Sequence, residues 1–125
     1  YIHAQFPHYG VATDGAVGLT EDGELWVFTS VVKDGADGWG SDTSEAVLLR
    51  SSDGGASFST VQVSPAQPEG PDWLCSIERN MGHNPVDRPA LLYMHGRPGT
   101  TCSDPIYTEI RFVHPDSVDT AKSRE

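Results

Sequence analysis

The chain has 125 residues, enough for one ordinary domain, and its 18 acidic and 8 basic residues give a formal net charge of −10. Such an acidic balance argues against a nucleic-acid partner, which would require a basic face. No apolar run approaches the roughly 20 residues of a membrane span, so none is expected. Gly and Pro are plentiful and long helical periodicity is absent, which predicts an all-β chain rich in turns.

The first clear element is a β-hairpin. Two β-prone runs, Val17–Thr20 and Glu24–Phe28, flank the Asp22-Gly23 pair, and an Asp-Gly pair in this position is a strong hairpin signal. The second strand is predicted to continue to Val32. Residues 25–28 are apolar at every position, which favours a strand packed between two sheets over one with a wet face.

Two further strands complete a predicted four-stranded antiparallel meander over residues 16–63. A polar loop, Lys33–Glu45, leads into the strand Ala46–Arg50, and Phe58–Val63 forms the last strand with period-2 alternation. In such a meander the first and third turns lie at one end, whereas the middle loop lies at the other. The Lys33–Glu45 loop is therefore expected at the end opposite Asp53.

The turn between the last two strands carries the most informative motif of the chain. Asp53 can accept hydrogen bonds from nearby backbone N–H groups, and Gly54 and Gly55 supply positive φ without steric cost. The pattern S-x-D-x-G-x-S-aromatic is formed by Ser51, Asp53, Gly55, Ser57 and Phe58. It resembles the Asp-box, or bacterial neuraminidase repeat, of the sialidase superfamily.

The resemblance implies a fold. In that family the Asp-box joins the third and fourth strands of a β-propeller blade, so residues 16–63 are expected to form one Asp-box blade. A complete propeller needs at least about four blades, and 125 residues are too few for that. Because the chain also begins at Tyr1 without an initiator Met, we expect residues 1–125 to be a fragment of one propeller domain, about two blades of a six-bladed sialidase-like propeller.

The second half of the chain is expected to form a degenerate second blade over residues 73–115. The segment 64–72 contains three prolines, which excludes a central strand and indicates a linker between blades. Three strand-like runs follow, at Trp73–Arg79, Ala90–His95 and Ile106–Val113. A second Asp-box is missing, since His114-Pro115-Asp116-Ser117 stands in its place, so Ala90–Met94 is either the first or the second strand of this blade.

The Lys33–Glu45 loop contains the first candidate site. Sialidase-like propellers bind sugars at the end opposite the Asp-boxes, so this loop is expected at the binding end. An exposed Trp39 can stack on a sugar ring, and Asp37 and Asp42 can accept hydrogen bonds from sugar hydroxyls. The alternative is an acidic loop whose Trp covers its own blade.

A second group of candidates follows from the same resemblance. Arg88 precedes Pro89-Ala90 and faintly resembles the Arg-Ile-Pro signature, whose arginine grips the substrate carboxylate through two parallel hydrogen bonds. Arg79 is a further substrate-binding candidate, and His83 is either a general base or a group that caps the loop backbone. Tyr107 and Glu109 lie two apart on one strand, share a face and match the Tyr/Glu pair of retaining sialidases.

Two functions are consistent with these patterns. The first is a sialidase-like glycoside hydrolase, or a related polysaccharide-degrading propeller, of which this fragment alone would be inactive. The alternative is a non-catalytic Asp-box module that binds glycans or proteins. Either requires the remaining blades, in the same chain or by oligomerisation, and the resemblance favours a secreted or periplasmic protein.

No cofactor or metal is predicted. Cys75 and Cys102 lack the clustered Cys/His spacing of a zinc site. The two cysteines either pair in a disulfide or remain as two buried thiols.

Overall fold

The computed structural model describes residues 9–11, 15–33, 44–64, 70–79, 85–100 and 107–120. These residues are mostly β, and their strands form two antiparallel sheets. The strands are β1 (Tyr9–Val11), β2 (Ala16–Leu19), β3 (Leu25–Lys33), β4 (Glu45–Ser51), β5 (Ser59–Gln62), β6 (Asp72–Ile77), β7 (Leu91–Gly96) and β8 (Thr108–Val113), followed by a short helix, α1 (Pro115–Thr120).

The first sheet contains the predicted meander. Strands β2, β3, β4 and β5 pair in sequence order and antiparallel, with Phe28 placed between Ala16 on one side and Leu48 on the other. Strand β1 pairs with the last residues of β3, and β2 pairs with its first residues on the same side. The sheet therefore contains five strand segments but is four strands wide. The prediction of a four-stranded antiparallel meander over residues 16–63 is confirmed.

The turn from β2 to β3 forms where the Asp-Gly pair predicted it. Gly23 adopts a φ of 87°, which a residue with a Cβ rarely adopts. The Thr20 hydroxyl bonds the Asp22 carboxylate and accepts the Glu24 N–H at 2.9 Å, so side chains take up the polar groups of the turn. The hydrogen bonds that Asp22 accepts, from the Thr20 hydroxyl first and from the Glu24 N–H second, hold its pKa below the usual value.

The second sheet is a three-stranded antiparallel meander in the order β6-β7-β8. Its strands correspond to the three runs predicted after the proline-rich segment. The register of β6 on β7 shifts between Trp73 and Ser76, and Leu74 within this irregularity has a φ of 50°. Such a bulge bends the strand and changes which side chains reach a given face.

Helix α1 occupies the position where the sequence lacks a second Asp-box. Pro115 stands at its first residue, where a fixed φ and a missing N–H are both tolerated. The Ser117 N–H donates to the His114 carbonyl at 2.9 Å, and the Asp116 N–H donates to the His114 ring at 3.2 Å. Val118 is 2% exposed and anchors the helix in the core.

The main core lies between the inner faces of the two sheets. The first sheet contributes Trp26, Phe28 and Leu48, and the second contributes Leu91 and Tyr93 among others. Phe28 and Tyr93 meet edge to face with ring centroids 6.3 Å apart. Each fully buried side chain of this size contributes about 1.5–3 kcal/mol relative to exposure, so this contact region is the principal source of stability.

The outer faces of the two sheets are also apolar. On the first sheet Val31, Val47 and Leu49 form a second buried cluster, so strands β3 and β4 are apolar on both faces, as predicted. On the second sheet Ile110 and Phe112 are 66% and 63% exposed. The second sheet therefore presents an apolar outer face among the described residues.

Backbone contacts align the ends of the two sheets. The Asp72 N–H donates to the Ser44 carbonyl at 3.2 Å, and the Asp72 carbonyl accepts the Ser30 hydroxyl at 2.7 Å. Ser44 directly precedes β4, and Ser51 at the other end of β4 begins the Asp-box turn. The start of β6 therefore lies at the end of the molecule opposite the Asp-box, together with the residues that flank the undescribed segment 34–43.

Candidate functional site

The Asp-box turn has the hydrogen bonds that its sequence predicts. Asp53 Oδ1 accepts the Ser57 N–H at 2.9 Å and the Ser51 hydroxyl at 2.7 Å, and Oδ2 accepts the Ser57 hydroxyl. Gly54 and Gly55 both have positive φ. These bonds, those from Ser57 first, lower the pKa of Asp53 to about 2. The motif therefore acts within its own turn.

Phe58 is less buried than expected. The sequence predicts a largely buried ring, whereas the ring is only partly buried and packs against the Val31 cluster on the outer face of the first sheet. The ring is less buried because Phe58 lies just before β5, at the edge of the outer face of the first sheet.

A second group of polar residues lies at the opposite end, on the inner face of the second sheet. We call it the polar cluster and define it as Asp72, Tyr93, His95, Glu109 and Arg111. Asp72 begins β6, His95 lies near the end of β7, and Glu109 follows the start of β8. Antiparallel pairing brings these strand ends together, with His95 opposite both Asp72 and Glu109.

Asp72 and His95 form the buried part of the polar cluster. The Asp72 side chain is fully buried, and its Oδ1 lies 2.7 Å from Nδ1 of His95, whose side chain is 16% exposed. Burial raises the pKa of Asp72, and the neighbouring His95 and Arg111 oppose that rise. The pair thus places a desolvated carboxylate behind a partly accessible imidazole.

Glu109 and Arg111 form the more open part of the polar cluster. Arg111 donates through Nε and Nη2 to Oε1 of Glu109 at 2.9 and 2.7 Å, and Arg111 pairs across the strands with Tyr93. The hydrogen bond from Arg111 is the main cause that lowers the pKa of Glu109, and the same bond raises the pKa of Arg111. Burial raises the pKa of the Tyr93 hydroxyl.

Tyr107 and Arg97 flank the polar cluster. The Arg97 guanidinium lies 4.4 Å from the centre of the Tyr107 ring, and the Arg97 N–H donates to the Tyr107 carbonyl at 3.1 Å. The Tyr107 hydroxyl also helps, after Arg111, to lower the pKa of Glu109. The structure therefore brings Tyr107 and Glu109 together, with an exposed cation stacked on the tyrosine.

Two other candidate residues lie elsewhere. Arg88 bonds Asp116 at 2.6 Å and lines a polar cleft of about 220 Å³ at the Asp-box end, beside Arg50. Arg79 donates to the Val17 carbonyl at 3.1 Å and lines a groove of about 400 Å³ near the same end. The structure does not bring either arginine to Tyr107 and Glu109.

The remaining candidates lie outside the described residues. These are Asp37, Trp39, Asp42 and His83, and Cys102 lies outside them as well. Cys75 is a buried free thiol, and burial raises its pKa to about 12. Such a thiol remains protonated at neutral pH and is a poor nucleophile.

Sequence reasoning did not find Asp72 and His95. Asp72 was assigned to the end of a proline-rich linker and His95 to the end of an apolar strand. No sequence pattern marks either residue as part of a site, since Asp72 begins one strand and His95 lies near the end of the next. Their proximity depends on the pairing of β6 with β7, which spans 23 residues of sequence and includes a bulge.

Comparison of the chain with protein-family models, with curated proteins and with solved structures gives no match. In the part of the chain that the structure describes, no group of three or more His, Cys, Asp or Glu side chains is placed to hold a metal ion. No described helix has the length and apolar character needed to cross a membrane.

Proposed function

We propose that the chain is part of an Asp-box β-propeller that acts on glycans, and that the polar cluster with Tyr107 and Arg97 is its contribution to the binding site. The position of the polar cluster supports this proposal most directly. It lies at the end opposite Asp53, which is the end where sialidase-type propellers bind sugars.

The packing of the two sheets supports the propeller part of the proposal. The sheets pack face to face, and their strand ends lie at the same two ends of the molecule, as in neighbouring propeller blades. Both outer faces carry apolar side chains, among them Leu49 on one sheet and Phe112 on the other. Leu49 is only 2% exposed, whereas a further sheet stacked on the second sheet would remove the exposed Phe112 from water.

The chemistry of the site suits an anionic or hydroxyl-rich sugar. Arg97 offers a guanidinium fork that can bind a carboxylate through two hydrogen bonds, and Tyr107 is 44% exposed and offers a ring for stacking. The Tyr107 hydroxyl lies near enough to Glu109 to help lower the pKa of that carboxyl. That arrangement corresponds to the Tyr/Glu pair of a retaining sialidase, so a glycoside hydrolase is the leading function.

One observation favours a non-catalytic glycan-binding module as the second candidate. Arg111 already engages Glu109 through two hydrogen bonds, which keeps Glu109 ionised and lowers its basicity. A carboxylate that removes the proton of a phenol as a general base requires a raised pKa and not a lowered one. In a binding module the same ion pair would only shape the site.

The test compares arginines from the two ends of the intact, full-length protein. Binding of sialyllactose and of neutral lactose is measured by calorimetry, and release of a chromogenic aglycone from a sialoside is measured in parallel. We expect Arg97→Ala to weaken sialyllactose binding about 10- to 100-fold, the value of one charged bidentate contact. Arg88→Ala is the matched control and should bind as the wild type does.

The outcomes separate the candidates. Turnover of the sialoside that Tyr107→Phe abolishes supports the hydrolase, whereas binding without turnover supports the module. Absence of glycan binding in the full-length protein, or a loss caused by Arg88→Ala and not by Arg97→Ala, would refute the proposed site.

A further inference from the structure

The side chains of Asp72 and His95 are in contact, although the pairing of their strands does not require this contact. The Asp72 carboxylate contacts only one ring nitrogen of His95, Nδ1, at 2.7 Å. The imidazole is 16% exposed although the carboxylate behind it is fully buried. The second ring nitrogen, Nε2, forms no hydrogen bond with any described residue.

The carboxylate itself is incompletely satisfied. Asp72 Oδ2 is buried and forms no hydrogen bond among the described residues, although the Ser64 hydroxyl lies near enough to affect the carboxyl group. Burying an acceptor without a full set of partners costs free energy, and an apolar side chain of similar shape would avoid that cost. Buried charges retained at such a cost are more frequent at functional sites than elsewhere.

The main chain holds Asp72 in place independently of its side chain. Its N–H donates to the Ser44 hydroxyl at 3.1 Å, and its carbonyl accepts the Ser30 hydroxyl at 2.7 Å. The preceding residue, Pro71, accepts the Gly96 N–H at 2.9 Å, next to His95. The side-chain contact is therefore free to orient the imidazole and is not needed to join the strands.

We propose that His95 is a proton-transfer group of this site and that Asp72 is the residue that positions it, an inference that rests on the proposed glycan-binding site around Tyr107. In the resting state Asp72 accepts the Nδ1 proton, which leaves the Nε2 lone pair unprotonated. Nε2 then takes a proton from a bound sugar hydroxyl or from water, and the imidazolium formed is stabilised by the carboxylate. In hydrolysis the oxygen of the deprotonated water bonds to the anomeric carbon as the glycosidic C–O bond breaks, and the imidazolium gives its proton to the leaving oxygen, so the pair ends unchanged.

The surroundings of His95 fit this role. Glu109 lies opposite it on β8 and is held by Arg111, so a second carboxylate also faces the imidazolium. Tyr93 and Cys75 are the other titratable groups of the inner face, and burial raises the pKa of each. Both therefore stay neutral and do not compete with Nε2 for a proton.

The first experiment reads the proton position directly. Two-bond ¹⁵N–¹H spectra of the full-length protein at neutral pH distinguish the two histidine tautomers. We expect His95 in the Nδ1–H form, and we expect Asp72→Leu, which removes the acceptor but keeps a similar shape, to lose that preference. His114 is the matched control, because its side chain is 61% exposed and its carboxylate neighbour, Asp116, lies at 3.5 Å on the surface.

Asp72→Asn serves as a second variant if Asp72→Leu does not fold, and circular dichroism and thermal melting check folding of both. The Asn variant keeps the shape and removes the negative charge. A wild-type His95 that is protonated at Nε2, or that exchanges freely between the two tautomers, would overturn the positioning role of Asp72.

The second experiment tests the reactivity of Nε2. Acylation by diethyl pyrocarbonate, followed residue by residue by mass spectrometry, should modify His95 in the wild type and should slow in Asp72→Leu relative to His114. A wild-type His95 that is not acylated would refute proton transfer, since its Nε2 would then be inaccessible.

Turnover measurements complete the test where the intact protein hydrolyses a glycoside. His95→Gln should then lower kcat roughly 100-fold or more with little change in KM, as expected for loss of a general acid or base. Unchanged kcat would overturn the inference. If the protein binds no glycan but His95 shows the expected tautomer and reactivity, the proposed function fails whereas the orientation of His95 by Asp72 stands.

Discussion

Gly70 sets the distance between the two strand ends that carry Asp72 and His95. It has a φ of +117°, and a Cβ added to it would lie 1.9 Å from the carbonyl oxygen of Gly96 and 2.9 Å from the carbonyl carbon of Arg97. Both of these are backbone atoms, which cannot turn aside as the end of a side chain can. Gly70→Ala should therefore push the start of β6 away from the end of β7.

The magnitude follows from two costs. A non-glycine residue at this positive φ costs about 1–3 kcal/mol in backbone strain. Overpacking against the backbone adds about 1–3 kcal/mol. The sum, roughly 2–6 kcal/mol, is a large part of the 5–15 kcal/mol that stabilises an ordinary domain, and each kcal/mol corresponds to about 4 °C in Tm at this chain length.

Gly23→Ala is the matched control. Gly23 also has a positive φ, +87°, but nothing lies within 4 Å of its added Cβ, so only the strain term applies. Thermal melts of the chain should show a Tm roughly 8–24 °C lower for Gly70→Ala and roughly 4–12 °C lower for Gly23→Ala. Equal shifts, or a Gly70→Ala protein in which His95 keeps its Nδ1–H tautomer, would refute the reasoning about close approach.

Two other predictions concern the Asp-box and the outer face of the second sheet. The folded pKa of Asp53 is about 2 against an ordinary 3.8, so its stabilising contribution is present above 3.8 and is lost as the pH falls towards 2. The difference in Tm between wild type and Asp53→Ala should shrink over that interval, and a difference that grows on acidification would contradict the assignment. Because Ile110 and Phe112 are exposed, the isolated chain should self-associate in sedimentation experiments, and replacing both by Ser should reduce association without lowering Tm; a wild-type monomer would contradict this.

The sequence predicts the first sheet well because its signals are local. The Asp22-Gly23 pair and the Asp-box turn each lie between β-prone runs, so adjacent strands must pair as hairpins. Helix α1 was not predicted, since six residues are too few to show helical periodicity. Pro115 is compatible with the first residue of a helix, but a single proline does not distinguish a helix from a turn.

Only the part of the site that lies on a single strand could be predicted, because side chains alternate between the two faces of a strand. Tyr107 and Glu109 are two residues apart, and side chains so spaced point to the same face of a strand. Asp72 and His95 belong to different strands, and the irregularity between Trp73 and Ser76 breaks the alternation that would reveal which face Asp72 occupies. Burial of a carboxylate is also contrary to composition rules, so no pattern in the sequence marks it.

On the inner face of the second sheet, residues of the core and residues of the polar cluster lie along the same strands. Along β7 the inward residues change from Leu91 through Tyr93 to His95, and along β8 the partners change from Val113 through Arg111 to Glu109. The apolar ends of these two strands pack into the core, while their polar ends reach the margin between the sheets. Because period-2 geometry ties each polar residue to an apolar one on the same strand, the core fixes the orientation of the polar cluster.

Placement on strands has a consequence for function. Groups held by paired strands lose little conformational entropy when a ligand binds, whereas groups on loops must be ordered first. His95 and Glu109 are held in this way, and each has a hydrogen-bond partner on a strand, Asp72 across the sheet for His95 and Arg111 two residues along β8 for Glu109. A core substitution that shifts β7 along β8 should therefore alter the site before it unfolds the chain.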